Sequence, residues 1–233
     1  MKKILFAATA LVAALFASCD KAPEIMNPLQ PGTADGARVT ITLSGADAET
    51  RAFFDNTATA EAWEKSLSSL SVFAFDNGGG LIVRRDFTSA ELASKSATFA
   101  LPKSTAGTEC SFYAVANYDA SSAKTKAALT ALVENSAADY NGTFAEVSTA
   151  AKRSGGFVMS GSVTKTVGAV NTTTSVGITL KRTVAKVAVQ TTVDPSFANK
   201  YSGTLTINSV KLSKAASQSL VVAGTPTPGT MTF

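Results

Sequence analysis

The residue types present limit the available chemistry sharply. No histidine occurs among the 233 residues. Its absence removes Ser-His-Asp and Cys-His nucleophile pairs, histidine zinc sites and imidazole general bases together, because each needs a ring nitrogen that titrates near neutrality. No paired carboxylates or metal-ligand clusters stand out among the acidic residues, so an enzyme is the least favoured class. Two cysteines are present, Cys19 and Cys110. Cys110 opens the alternating stretch CSFYAVAN and reads as a buried structural thiol with no base beside it. A different reactive point is the peptide bond after Arg51. Residues 46–50 are small and polar, and Arg51 followed by Ala52 is a linker that a trypsin-like protease would cut. The plainer reading of residues 39–52, a first strand followed by an ordinary loop, stays open on these residues alone. The tripeptides Asn141-Gly142-Thr143 and Asn171-Thr172-Thr173 match glycosylation sequons, a pattern that often arises by chance.

Cys19 belongs to a targeting segment. Lys2 and Lys3 precede an apolar run, residues 4–17, that is too short to span a bilayer as a helix. Leu15-Phe16-Ala17-Ser18-Cys19 resembles a bacterial lipobox, in which the cysteine is acylated and becomes the mature N-terminus. The alternative is a plain secretory signal with a chance cysteine. Acylation at Cys19 would give a durable membrane anchor, at roughly 0.8 kcal/mol per buried CH₂. With Cys19 lipidated, Cys110 has no partner for an internal disulfide, so the fold must stand on its core. The composition allows this, since 45% of residues are hydrophobic and only 16% charged. The net charge of +4 is spread along the chain, and no basic cluster interleaved with aromatics points to nucleic acid.

The elements that would position these groups are mostly short strands. Residues 19–38 carry Pro23, Pro28, Pro31, Gly32 and Gly36 and read as a lipidated linker. Val39, Ile41 and Leu43 then alternate with Thr40, Thr42 and Ser44, the period of a half-buried strand. Residues 57–66 are expected to form a short helix, with Glu61 and Glu64 early and Lys65 late. A strand over 67–76, the turn Asn77-Gly78-Gly79-Gly80 and a partner strand over 81–87 make a hairpin. Thr88 and Glu91 form a capping box for a single helical turn. Strands are expected over 97–101 and 110–117, and residues 121–135 are the most convincing helix, with Ala128, Leu129, Leu132 and Val133 on one face. Lys124 and Lys126 read as a solvated face. A polar loop covers 137–156, and 157–160 is a short apolar run. Over 174–193, Val176, Ile178 and Leu180 have opposite parity to Ala185, Val187 and Val189. A bulge, or a strand bending between two sheets near Arg182 and Thr183, would produce that change. Asp194-Pro195 breaks the pattern, and strand-like runs over 204–212 and 220–223 suggest the start of a second β domain, truncated here. Many short strands, one good helix and closely spaced turns define a mainly β fold, a β-sandwich with one or two short helices.

Four segments carry a resemblance. Leu70-Ser71-Val72-Phe73-Ala74-Phe75-Asp76 before a glycine turn, Tyr113-Ala114-Val115-Ala116-Asn117, Phe157-Val158-Met159-Ser160-Gly161 and Leu180-Lys181-Arg182-Thr183-Val184-Ala185-Lys186-Val187 together resemble the N-terminal domain of FimA-type fimbrillins, the type V pilins of Bacteroidales, over residues 39–193. The resemblance implies a transthyretin-like two-sheet sandwich. It also implies a structural subunit of a cell-surface fimbria that supports adhesion. The precursor would have residues 1–18 as its signal and would pass through the lipoprotein export machinery to an outer-membrane anchor at Cys19. An arginine-specific protease would cut between Arg51 and Ala52, which frees the strand bearing Val39, Ile41 and Leu43. Donor-strand exchange with other fimbrial subunits, homopolymer or accessory, would then proceed without any cofactor. Arg84, Arg85 and Arg182 fall in expected strands, so Arg153 is the rival cut site. The alternative is a non-polymerising surface lipoprotein, such as a fimbrial anchor, tip adhesin or glycan-binding module.

Overall fold

The computed structural model describes residues 36–45, 62–135, 155–184, 193–201, 203–209 and 216–222. In chain order the elements are β1 (Ala37–Ser44), a 3-10 turn (Ala62–Lys65), β2 (Leu70–Phe75), β3 (Leu81–Asp86), α1 (Ser89–Ser94), β4 (Ser96–Leu101), a second 3-10 turn (Lys103–Thr105) and β5 (Glu109–Ala116). They continue as α2 (Lys126–Thr130), β6 (Val133–Glu134), β7 (Met159–Thr166), β8 (Thr173–Thr179), β9 (Lys181–Arg182), α3 (Phe197–Lys200) and β10 (Ser219–Leu220). The molecule is mainly β, as its alternation predicts.

Two sheets form the sandwich. The larger has five strands in the order β3-β2-β5-β7-β9, and the smaller has three, β4-β1-β8. Val39, Ile41 and Leu43 of β1 meet Leu70, Val72 and Ala74 of β2, Phe112 and Ala114 of β5 and Val176 and Ile178 of β8 in one buried cluster between the sheets. This is the driving force that alternating apolar residues supply once one face of each sheet is covered. The larger sheet is covered on its outer face too. Phe73, Phe75, Val115, Leu129, Val158, Val221 and Val222 make a second buried cluster there, with the Phe73 and Phe75 rings stacked 6.1 Å apart. β2 is therefore buried at all six positions, which explains why LSVFAF reads as a continuous apolar run instead of an alternating one.

The local signals at the first hairpin hold. Gly79 has φ +81°, and the Asp76 carboxylate accepts a hydrogen bond from the Gly80 N–H at 2.8 Å, so the glycine turn between β2 and β3 is closed by its own first residue. Thr88 and Glu91 form the reciprocal capping box at the start of α1. The parity change near the end of β8 also has the expected kind of cause. β8 pairs with β1 in the small sheet, and immediately afterwards β9 pairs with β7 in the large one. The chain thus bends between sheets at Leu180, slightly before Arg182, while Ala185, Val187 and Val189 lie outside the described residues. Gly161 of β7 lets the corner close, because a Cβ there would collide with the Thr179 carbonyl.

Other expectations are corrected. The helix over 121–135 is only α2, five residues long, capped by Thr125, whose hydroxyl accepts from the Ala128 N–H. Thr125 is extended and bridges to Gly80, so tertiary pairing displaces the first expected turn and the helix starts only at Lys126, while Val133 belongs to β6 and is exposed. Lys126 is not simply solvated. Its ammonium donates to Ser111 Oγ at 3.3 Å and lies 5.7 Å from the Tyr113 ring centre. The helix over 57–66 is a single 3-10 turn in its described part. Residues 203–209 form no strand, with Leu205 and Ile207 exposed. The run at 220–223 does restart a strand, β10, but it pairs with β6 and carries Val221 and Val222 into the outer-face cluster of the sandwich. Among the sequon residues, Asn171 is exposed in the β7–β8 turn with φ +64°, and Asn141 lies outside the described residues.

Candidate functional site

The site is the slot occupied by β1. β1 pairs antiparallel with β4, from Ala37 opposite Leu101 to Thr42 opposite Ser96, and parallel with β8, from Arg38 opposite Thr173 to Ser44 opposite Thr179. It is the central strand of its sheet, so both backbone edges are engaged. Ala37, Val39 and Ile41 are fully buried and Leu43 is 5% exposed. The opposite face carries polar pairs, Thr40 Oγ1 to Thr98 Oγ1 at 2.8 Å and Ser44 Oγ to Thr179 Oγ1 at 3.1 Å. Burial of Val39, Ile41 and Leu43 stabilises the sheet by roughly 1.5–3 kcal/mol for each side chain, as an upper bound. Taking β1 away would leave β4 and β8 facing each other across one strand's width. Their unpaired N–H and C=O groups and the exposed core would form a template for an incoming strand.

The chain that follows is held differently. Asn117, at φ +59° just past β5, accepts from the Ser68 N–H at 2.9 Å and donates to the carbonyls of Ser66 at 2.7 Å and Phe157 at 2.8 Å. Trp63 packs on Phe157 with ring centres 4.9 Å apart, and Arg182 donates to the Glu64 carbonyl at 3.1 Å. Residues 62–69 are thus tied to the large sheet by contacts that involve no atom of β1. Asn117 appears in the sequence only as the end of YAVAN. Nothing there signals its side-chain role, because its backbone partners lie 40 to 51 residues away.

Of the expected site residues, the structure places Val39, Ile41 and Leu43 side by side on the buried face. Cys19, Arg51, Ala52 and the rival Arg153 lie outside the described residues. The remaining arginines are all in paired strands: Arg38 in β1, Arg84 and Arg85 in β3 and Arg182 in β9. Two are also ion-paired, Arg84 to Asp86 at 2.7 Å and Arg85 to Glu91 at 2.6 Å. Backbone committed to a sheet ladder cannot enter an extended protease cleft without local unfolding. Cys110 is buried and free of disulfide. Burial pushes its thiol above the ordinary value, partly offset by the Thr108 hydroxyl, which suits a packing role. A cleft of about 510 Å³ opens beside the Asn117 anchor, lined in part by Ser71, Arg84, Asp86, Asn117 and Asp119. Its charged groups face one another, with the Ser71 hydroxyl donating to Asp86 Oδ1 at 2.5 Å. Among the described residues, no group of three or more Cys, Asp or Glu side chains could hold a metal ion.

The fold is a two-sheet β-sandwich with an alternating strand in the middle of its smaller sheet, and the sequence match identifies the family. The chain belongs to the major fimbrial subunit protein (FimA) family, whose sequence model matches residues 37–208. Solved structures similar in shape include a fimbrial assembly protein from Parabacteroides distasonis at 16% identity and TM-score 0.42, covering 64% of this chain and 53% of that one. The tip fimbrial protein Mfa3 from Porphyromonas gingivalis, with C-terminal truncation, is 17% identical with TM-score 0.41, covering 63% and 47%. A candidate cell adhesion protein from Bacteroides eggerthii is 20% identical with TM-score 0.43, covering 66% and 42%. The chain thus spans about half the length of these structures. No curated protein matches it.

Proposed function

We propose that this chain is a structural subunit of a cell-surface fimbrium. It is exported as a lipoprotein anchored to the outer membrane through Cys19, cut between Arg51 and Ala52, and assembled by exchange of β1 for a strand of another subunit. The polymer supports adhesion, and its assembly requires no cofactor. The observation that carries this reading is the position of β1. It is the strand nearest the N-terminus among the described residues, it sits between β4 and β8, and its buried side chains repeat every second residue. An incoming strand with the same alternation would regain both ladders and all four inward contacts.

The anchoring of residues 62–69 by Asn117, Trp63 and Arg182 supports a cut upstream of them, because the new N-terminal segment would stay attached while β1 is freed. The strand positions of Arg38, Arg84, Arg85 and Arg182 favour Arg51 and leave Arg153 as the rival. The test is Arg51→Ala in the full-length gene in its native host. It is expected to abolish heat-resistant ladders on gels while leaving a lipidated monomer of full length. Undiminished ladders would overturn the reading.

A further inference from the structure

Both ends of the β1 slot are closed by the same device, a glycine pressed against a backbone carbonyl. A Cβ on Gly36 would sit 2.5 Å from the carbonyl oxygen of Leu101, the last residue of β4. A Cβ on Gly45 would collide with the carbonyl of Leu180, with Thr179 Cγ2 only 3.0 Å away, and Gly45 has φ +84°, a conformation that side chains resist. The obstructing atoms are chiefly main chain, which does not swing aside as the end of a flexible side chain would. Gly177 in β8 has nothing within 4 Å of its Cβ position, so the tightness is not general to this sheet. Between the two glycines lie the eight residues of β1, with Ala37, Val39, Ile41 and Leu43 inward.

Resting on the strand-replacement reading, we propose that Gly36 and Gly45 are register stops. The slot then selects a strand of another subunit that is eight residues long, small and then aliphatic at its first, third, fifth and seventh positions, and bounded at each end by glycine or a chain terminus. Hydrophobic alternation alone leaves an ambiguity. A slip of one residue turns the polar face inward and is rejected, but a slip of two keeps every apolar residue inward. The stops remove that degeneracy, because a two-residue slip carries a side chain into one of the two carbonyls. The chain's own Thr204-Leu205-Thr206-Ile207 illustrates the rule. It alternates like Thr40-Ile41-Thr42-Leu43, and Leu205 and Ile207 are 55% and 51% exposed. Setting Leu205 and Ile207 at the positions of Ile41 and Leu43 puts Lys200 at Gly36 and Ser209 at Gly45. Setting them at Val39 and Ile41 puts Ser202 and Lys211 there. The slot rejects this segment from a second copy in either register.

The test uses the full-length chain, intact and after clipping by an arginine-specific protease, with a labelled decapeptide of residues 36–45. The clipped chain is expected to take up the parent peptide, and peptides with Gly36→Ala or Gly45→Ala at least tenfold more weakly. In the intact chain, Gly36→Ala and Gly45→Ala are expected to lower the melting midpoint by roughly 5 °C, and Gly177→Ala by far less. Equal uptake of all three peptides, or glycine variants as stable as Gly177→Ala, would overturn the stops. No uptake of the parent peptide would overturn the selectivity together with strand replacement, and glycine-sensitive melting would then mark a role in β1 alone.

Discussion

β1 and β2 each run between two neighbours in the middle of a sheet, but β2 buries both faces and β1 buries one. β2 joins the inter-sheet core to the outer-face cluster, and the short glycine turn over residues 76–80 ties it to β3. β1 touches only the inter-sheet core, and its outer face is a row of exposed or half-exposed Arg38, Thr40, Thr42 and Ser44. Loss of β2 would open two cores and part the large sheet. Loss of β1 would open one core and leave the outer-face cluster, the β2–β3 hairpin and the Asn117 anchor intact. A sandwich can treat one central strand as replaceable when its second sheet carries a separate core of its own.

Mutations can sharpen or break this contrast. The largest effect is expected for Phe73→Ala, which opens a cavity in the outer-face cluster and costs about 3–5 kcal/mol. Urea unfolding should show that loss both in the precursor and in assembled subunits. Ile41→Ala should cost the precursor about 2–4 kcal/mol and, under the proposed strand exchange, the assembled polymer nothing. Equal losses in both forms would place β1 permanently in the fold. Asn117→Ala removes the side-chain hydrogen bonds to the Ser68 N–H and to the carbonyls of Ser66 and Phe157, at about 1–3 kcal/mol. Hydrogen exchange should show faster exchange at Ser68 while β1 amides keep their protection.

The smallest effect concerns Cys110. Burial raises its folded-state pKa, so folding holds the proton more tightly than the unfolded chain does. The resulting stability is fully present below the ordinary thiol pKa and is lost as pH rises above it. Iodoacetamide at pH 8 should label Cys110 only in denaturant, and labelling of the native chain would show that the large sheet opens readily.

The sequence discloses most where one physical cause acts locally. Alternation at Val39, Ile41 and Leu43, the glycine turn after Asp76 and the Thr88–Glu91 box each depend on residues within a few positions, and each is found in place. The parity change within 174–193 points to a bulge or a strand bending between sheets, and the step from β8 in the small sheet to β9 in the large one is the second of these. What stays hidden depends on distant partners. The helical periodicity of 121–135 is overridden because Thr125 is drawn to Gly80, 45 residues earlier in the chain. The central rather than edge position of β1 cannot be read from its own residues, since β4 and β8 are polar-alternating strands like many others. Gly36 and Gly45 look like ordinary linker glycines until the carbonyls of Leu101 and Leu180 are set beside them. The return of Val221 and Val222 to the first sandwich is equally silent, because a short apolar run does not say which core it serves.

The most direct test of whether β1 is provisional is N-terminal sequencing, with intact-mass measurement, of subunits taken from the assembled fimbrium. Subunits beginning at Ala52, with no peptide from Ala37–Ser44 retained, are the expected result. Subunits in the polymer that begin at a lipidated Cys19 and still carry β1 would contradict it.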